Sequence, residues 1–267
     1  MTAPSMEYSA LLAQGSYKMG EREGSKQDRI ALTNAHVQET GYVVNNKHTN
    51  FDLTTYQHKD DPNNVFISHR GTKLDGRGAQ EDARADFGIL TGRAGSYAKF
   101  DRQKRKTNQA IKDLNPTSLY MGSHSLGGST QNYTIANSKT VRKHLTGAKS
   151  FNAGANPTLT NSMSVTPKIR EELKNKVEHH RIKNDPISMG YLTGNVPFGK
   201  LKQHTVDFDG SKDKSLFQNV LENTTSWGRS KLMTEKGFHA HGISHFHSGA
   251  IRKRTKSKRK KMKKIKK

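Results

Sequence analysis

Between Leu119 and Gly128 an apolar run, Leu119-Tyr120-Met121, breaks off abruptly into Gly122-Ser123-His124-Ser125-Leu126-Gly127-Gly128. No other stretch of the chain restricts its fold as much. A buried strand that reaches a serine and turns at once into a helix makes a sterically tight turn, so its flanking positions must be small, and Ser123, Gly127 and Gly128 are. A serine held in such a turn stands exposed, beside fresh helix amides that can bind developing negative charge. The run therefore predicts strand, turn and helix, with Ser125 as a candidate nucleophile.

The rest of the chain supplies the partners for that strand. Gln27 to Thr40 reads as a helix with a weak apolar stripe of Ile30, Leu32, Ala35 and Val37, ended by Gly41, and Tyr42-Val43-Val44 is strand-like. Val65-Phe66-Ile67-Ser68 is a buried strand bounded by turn residues. Tyr97, Phe100, Ala110, Ile111 and Leu114 lie near helical spacing, interrupted by the charged residues Arg102 to Lys106, and Asn115-Pro116 stops the element. Leu126 to Ala136 follows the turn as a helix, and Lys149 to Ala153 is a strand edge. Thr166 as N-cap and Pro167 at N1 open a helix over Lys168 to Lys176. Val177 to Ile182 is a strand running into Asn184-Asp185-Pro186, and Leu216, Phe217, Val220 and Leu221 form one face of a further helix. Strand, helix, strand is the unit of a parallel sheet, so the expected class is α/β, with a central, mostly parallel sheet flanked by helices.

Charge divides the chain unevenly. Of the formal +23, twelve positive charges and no acid fall in residues 252–267, leaving +11 on residues 1–251. Like charges in a block repel, so Arg252 to Lys267 reads as a disordered or extended arm that contacts polyanions: nucleic acid, an anionic membrane surface or an acidic protein. Residues 1–251 are of a length for one domain. The apolar fraction of 31% implies a modest core and a large polar surface. With no Cys there is neither a disulfide nor a thiolate site, which suits a reducing compartment. Pro4, Glu7, Lys18 and Glu21 break the amino-terminal stretch, so no signal peptide or membrane span is expected. Together these features suggest an intracellular protein or one packaged in an assembly such as a virion, where capsid proteins join nucleic acid as partners of the arm.

A serine hydroxyl is a weak nucleophile until a base touches it, and the base needs an orienting acid. Asp185 stands at the carboxyl end of a strand, where open α/β sheets gather functional side chains. His239, His241, His245 and His247 crowd one polar loop, and His204 precedes them. Any of these imidazoles within reach of Ser125 could take its proton and return it to the leaving group. Turn chemistry accounts for Asn184-Asp185-Pro186 equally well, and Thr72 fits a turn cap after its strand. The His-x-His pattern invites a metal reading, but neither Cys nor a paired carboxylate motif accompanies it, so no metal or cofactor is assigned.

At this point the chain resembles the lipase class 3 family of α/β-hydrolases over roughly Gly41 to Phe246. The segments that carry the resemblance are Phe66-Ile67-Ser68-His69-Arg70-Gly71-Thr72, Ala85-Asp86-Phe87, Ser123-His124-Ser125-Leu126-Gly127-Gly128, Phe151-Asn152-Ala153-Gly154, Asn184-Asp185-Pro186-Ile187-Ser188 and His241-Gly242-Ile243-Ser244-His245-Phe246. It implies Ser125 as nucleophile, Asp185 as acid and His241 as base; by reach to Ser125 alone, His245, His239 and His204 stay open as alternative bases. Thr72, through its amide and hydroxyl, and the Leu126 amide are implied as the oxyanion hole. Two departures stand out. Ser123 occupies the family's usual glycine position, and the segment Lys73 to Asp82, where members often carry an apolar lid, is hydrophilic. Little interfacial activation is therefore expected, and short acyl esters or phospholipids fit as well as neutral fat. The basic surface favours an anionic phospholipid interface. Arg70 reads as a structural hydrogen-bonding residue.

Three functions are compatible with these residues: a serine esterase or lipase working through an acyl-enzyme, a structural protein of a virion or other assembly that keeps the hydrolase fold without activity, and a nucleic-acid-binding protein whose arm does the binding.

Overall fold

The computed structural model describes residues 3–73, 80–82, 84–85, 97–154, 157–183, 185, 188, 196–205, 243 and 246. The segment 74–79, Asp86-Phe87, the helix expected over Leu216 to Leu221, His239, His241, His245, His247 and the arm 252–267 lie outside them.

Among the described residues seven strands form one sheet whose spatial order is the order of the chain. They are β1 (Tyr42–Val44), β2 (Leu53–His58), β3 (Asn64–His69), β4 (Ser118–His124), β5 (Leu145–Phe151), β6 (Val177–Ile182) and β7 (Lys200–His204). β1, β2 and β3 make an antiparallel meander, and β3 to β7 run parallel. The helices are α1 (Met6–Met19), α2 (Lys26–Val37), α3 (Tyr97–Leu114), α4 (Leu126–Asn137), α5 (Lys139–His144), α6 (Pro157–Asn161) and α7 (Pro167–Leu173). This is the mostly parallel sheet with flanking helices of the α/β class.

Side chains alternate across a pleated sheet, so each central strand feeds two cores. Val65 and Ile67 of β3 with Leu119 and Met121 of β4 pack against Phe100, Ile111, Leu126 and Ile135 of α3 and α4. Phe66 and Tyr120, between them in sequence, face the opposite way and meet Leu12, Val37, Tyr42 and Tyr56. That second core is capped by α1, an element not evident from the sequence pattern. Its inward residues are Ser9, Ala10, Ala13, Gly15 and Ser16 beside Leu11 and Leu12, so burial there comes from small size and close approach rather than from an apolar stripe. A Cβ on Gly15 would stand 2.8 Å from the Tyr56 hydroxyl, which in turn donates to the Leu12 carbonyl at 2.9 Å.

The charged run Arg102 to Lys106 does not interrupt its helix. Lys99, Gln103, Thr107 and Ala110 recur every three or four residues on the inward face, and α3 continues through all of them. The strand expected at Lys149 to Ala153 is the second half of β5, which begins at Leu145 and ends one residue before Asn152. α7 keeps its Thr166 N-cap and Pro167 but ends at Leu173. β2 and β7, rich in Thr, Gln, Lys and His, were hidden by their polarity. Among the described residues no helix is long and apolar enough to cross a membrane.

Candidate active site

Ser125 lies between the last residue of β4 and the first of α4, with φ 55° and ψ −131°, and at 7% exposure it is buried, where the turn alone predicted an exposed hydroxyl. A non-glycine residue in that region stores strain of about 1–3 kcal/mol and persists only where its surroundings over-determine it. They do. The Ser125 amide donates to the Phe151 carbonyl at 2.9 Å, and its own carbonyl accepts from the Ser129 amide at 3.2 Å. Behind it, α4 is pressed onto neighbouring backbone: a Cβ on Gly127 would overlap the His69 carbonyl and lie 2.9 Å from Gly71 N, and one on Gly128 would lie 2.7 Å from Ala153 Cβ. Both glycines are therefore required by space. Ser123 does more than fit. Its Oγ accepts from the His69 amide at 2.9 Å, just past the last ladder pair between β3 and β4, Ile67 with Met121.

Thr72 is half-buried and follows Gly71, whose Cβ would lie 2.7 Å from the His124 carbonyl. The loop leaving β3 thus runs beside the turn that holds Ser125 and beside the amino end of α4, where Leu126 and its successors present amides with no helical acceptor.

Asp185 is fully buried three residues beyond β6. Its amide donates to the Ile182 carbonyl at 3.2 Å, and its Oδ2 accepts from the Ser188 amide at 3.1 Å and from the Ser188 hydroxyl. β4, β5 and β6 are consecutive, so Asp185 and Ser125 leave the same carboxyl edge two strand spacings apart, about 10 Å. Asn152, at φ 45°, locks that edge: its amide donates to the His180 carbonyl and its Oδ1 accepts from the Ile182 amide, both at 2.8 Å. Asn152 already stands in the segment Phe151-Asn152-Ala153-Gly154 that carries the resemblance, and an asparagine directly after a strand, where it tolerates positive φ, is the local signal for this role.

Of the candidate bases, His241, His239 and His245 lie outside the described residues. Ile243 and Phe246, from the same segment, are buried with Ala10, Ala13, Phe151 and Ile182. That packing puts Ile243 and Phe246 themselves against Phe151 and Ile182, the last residues of β5 and β6. His204 ends β7, three spacings or about 14 Å from the Ser125 strand. Its Nε2 lies 3.0 Å from His180 Nδ1, and the Glu178 carboxylate meets the other nitrogen of His180 at 3.1 Å. Burial, reinforced by His204, lowers the pKa of His180. Among the described residues no group of three or more His, Cys, Asp or Glu is placed to hold a metal ion.

Beneath the Thr72 loop is a closed ring of four buried charges that sequence reading missed. Arg70 binds Asp52 at 3.1 Å and Asp82 at 2.8 Å, and Lys99 binds the same two carboxylates, Asp52 at 3.6 Å. Gln103 donates to Asp52 at 2.9 Å, the Lys73 amide to Asp82 at 3.2 Å, and Arg70 Nε to the Phe51 carbonyl at 2.7 Å. Asp82, read from sequence as part of a hydrophilic surface loop, is thereby an interior anchor. Nothing in the local pattern around Asp52 or Lys99 announces it. Arg70 spends its contacts on protein carboxylates and backbone.

No protein-family model and no curated protein matches the chain. Among solved structures, it is similar to the mono- and diacylglycerol lipase of Aspergillus oryzae, at 12% identity and a TM-score of 0.44 over 91% of this chain and 95% of that one. It is similar to a mutant form of MDLA from Penicillium cyclopium at 14% identity and a TM-score of 0.42, with the same coverage. For the Rhizomucor miehei lipase in its propeptide complex the values are 10% and 0.42, over 75% and 67%.

Proposed function

We propose that the chain is a serine hydrolase that cleaves carboxylic esters through an acyl-enzyme. The observation that carries this reading is the strained conformation of Ser125, held by Phe151 and Ser129 at the mouth of a helix whose first amides lack helical acceptors. Strain of this kind gathers at functional turns, and here it sets a hydroxyl beside helix amides that could serve a carbonyl carbon and an oxyanion together.

In this mechanism a histidine of the 239–247 segment, His241 by the family resemblance, takes the Ser125 proton as Oγ attacks the ester carbon. Asp185 fixes that imidazole's tautomer and stabilises the imidazolium. The Leu126 amide, with Thr72 through its amide and hydroxyl, stabilises the tetrahedral oxyanion. The histidine then protonates the departing alkoxide, and water reverses the sequence to release the acid. The hydrophilic segment 73–82 and the basic charge favour short acyl esters or phospholipids at an anionic interface, to which residues 252–267 add a salt-sensitive attraction. Turnover of a para-nitrophenyl ester series by wild type and Ser125→Ala tests the reading. A loss of at least about 10³-fold is expected; equal turnover by both proteins overturns it.

A further inference from the structure

Helix α1 precedes every candidate catalytic residue in sequence, yet its last turn ends on the candidate site. The Tyr17 hydroxyl is hydrogen-bonded to His124 Nδ1 at 2.8 Å, with the two rings 6.0 Å apart and tilted by 54°. The same hydroxyl covers Gly71 so closely that any Cβ there would overlap it. One turn on, Gly20 lies against Arg70, where a Cβ would stand 2.6 Å from Arg70 Cδ. His124 immediately precedes Ser125, and Gly71 immediately precedes Thr72. A single phenol therefore touches the residue before the candidate nucleophile and the residue before the candidate oxyanion donor.

We propose that Tyr17 is a positioning residue for acyl transfer at Ser125. By holding His124 on one side and closing over Gly71 on the other, it sets the spacing between the Ser125 turn and the Thr72 loop. The inference rests on the hydrolase reading. Catalytic geometry tolerates displacements well under 1 Å, and the two strands that deliver these loops are hydrogen-bonded to one another only as far as Ile67 and Met121. Beyond that pair, the ends of β3 and β4 are tied by the His69 amide to Ser123 on one side of the turn and by Tyr17 on the other. The absence of a side chain at Gly71 follows from this arrangement, since the phenol occupies that space.

Tyr17→Phe keeps the ring and removes the hydroxyl, so the helix still packs. Tyr42→Phe is the control: it removes a buried phenol hydroxyl, which donates to Asn64 at 2.7 Å on the same face of the sheet, away from the turn. The readouts are the rate at which a fluorophosphonate labels Ser125, kcat and KM on a short-chain ester, the melting temperature, and the ¹⁵N signals of the His124 ring. Loss of one neutral hydrogen bond should lower kcat and the labelling rate of Tyr17→Phe about 3- to 10-fold with KM nearly unchanged, while the control keeps wild-type rates. The His124 ring signals should move in Tyr17→Phe alone. If wild type is labelled and Tyr17→Phe reacts at the wild-type rate, or is slowed no more than the control, the positioning role is overturned and the hydrolase reading survives. If wild-type protein, folded by its melting curve, is never labelled, the hydrolase reading falls and takes this role with it.

Discussion

Ser125 sits where its backbone is least comfortable. At φ 55° and ψ −131° a side chain is disfavoured, whereas glycine accepts positive φ readily. Ser125→Gly should therefore raise stability by about 1 kcal/mol, a rise of roughly 2–4 °C in melting temperature for a domain of this size, while abolishing ester turnover. Ser125→Ala, with its Cβ retained, should abolish turnover without that gain. Calorimetry of the three proteins decides the matter, and a glycine variant no more stable than the alanine variant would remove the argument that strain is stored there. Gly127 illustrates the opposite constraint: it has no positive φ, and it is small because the carbonyl of His69 occupies the space a side chain would need.

Elements meet at the carboxyl ends of the parallel strands, and the buried charge ring is what joins the turn before β2, the exit of β3, the segment holding Asp82, and α3. Two cations and two anions balance inside it. Asp82→Asn leaves the buried cations Arg70 and Lys99 sharing the Asp52 carboxylate, which should cost about 3–5 kcal/mol and weaken the tie to the loop that carries Thr72. Arg102→Gln, at the half-exposed rim where Arg102 pairs with Glu81 at 2.6 Å and reaches the ring only through Asp52 at 3.5 Å, should cost less, about 1 kcal/mol. Urea midpoints of both variants test the contrast. Similar costs would mean that the ring is not the anchor.

Across the whole molecule, a highly cationic chain folds around imidazoles that it keeps neutral. Burial lowers the pKa of His69 to about 3, with Asp52 opposing the shift, and that of His179 to about 4, opposed by the hydrogen bond to the Phe198 carbonyl. His180 is lowered as well, by burial first and by His204 second. Unfolding restores each to a pKa near 6.5. Below that pH the unfolded chain binds protons that the native state refuses, so stability is complete above about pH 6.5 and falls as pH drops toward 4. Each of these histidines contributes a slope of about 1 kcal/mol per pH unit in that window. Urea midpoints between pH 7.5 and 4.5 should show the decline, and His179→Gln should flatten it. A midpoint that stays constant over the range would contradict the neutral burial of these side chains.

The turn at Ser125, the apolar centres of β3 and β4, the strand from Val177 to Ile182, the N-cap at Thr166 and the alternation of strand and helix were legible in the residues, because local sterics, capping chemistry and the period of the apolar pattern are properties of neighbouring positions. The helix α1 was not legible, since small residues are buried by the closeness of what covers them and leave no amphipathic stripe. Nor were Asp52, Asp82 and Lys99, whose charges read as surface until each has its opposite beside it. The same holds for Tyr17, Asn152 and the acceptor role of Ser123, because a hydrogen bond across 54 or 107 positions exists only once the chain has folded. Sequence alone thus determined which backbone turns were possible and where a candidate nucleophile could stand. Which side chains hold that hydroxyl in place was decided by the tertiary structure, through contacts between positions that have no local relation.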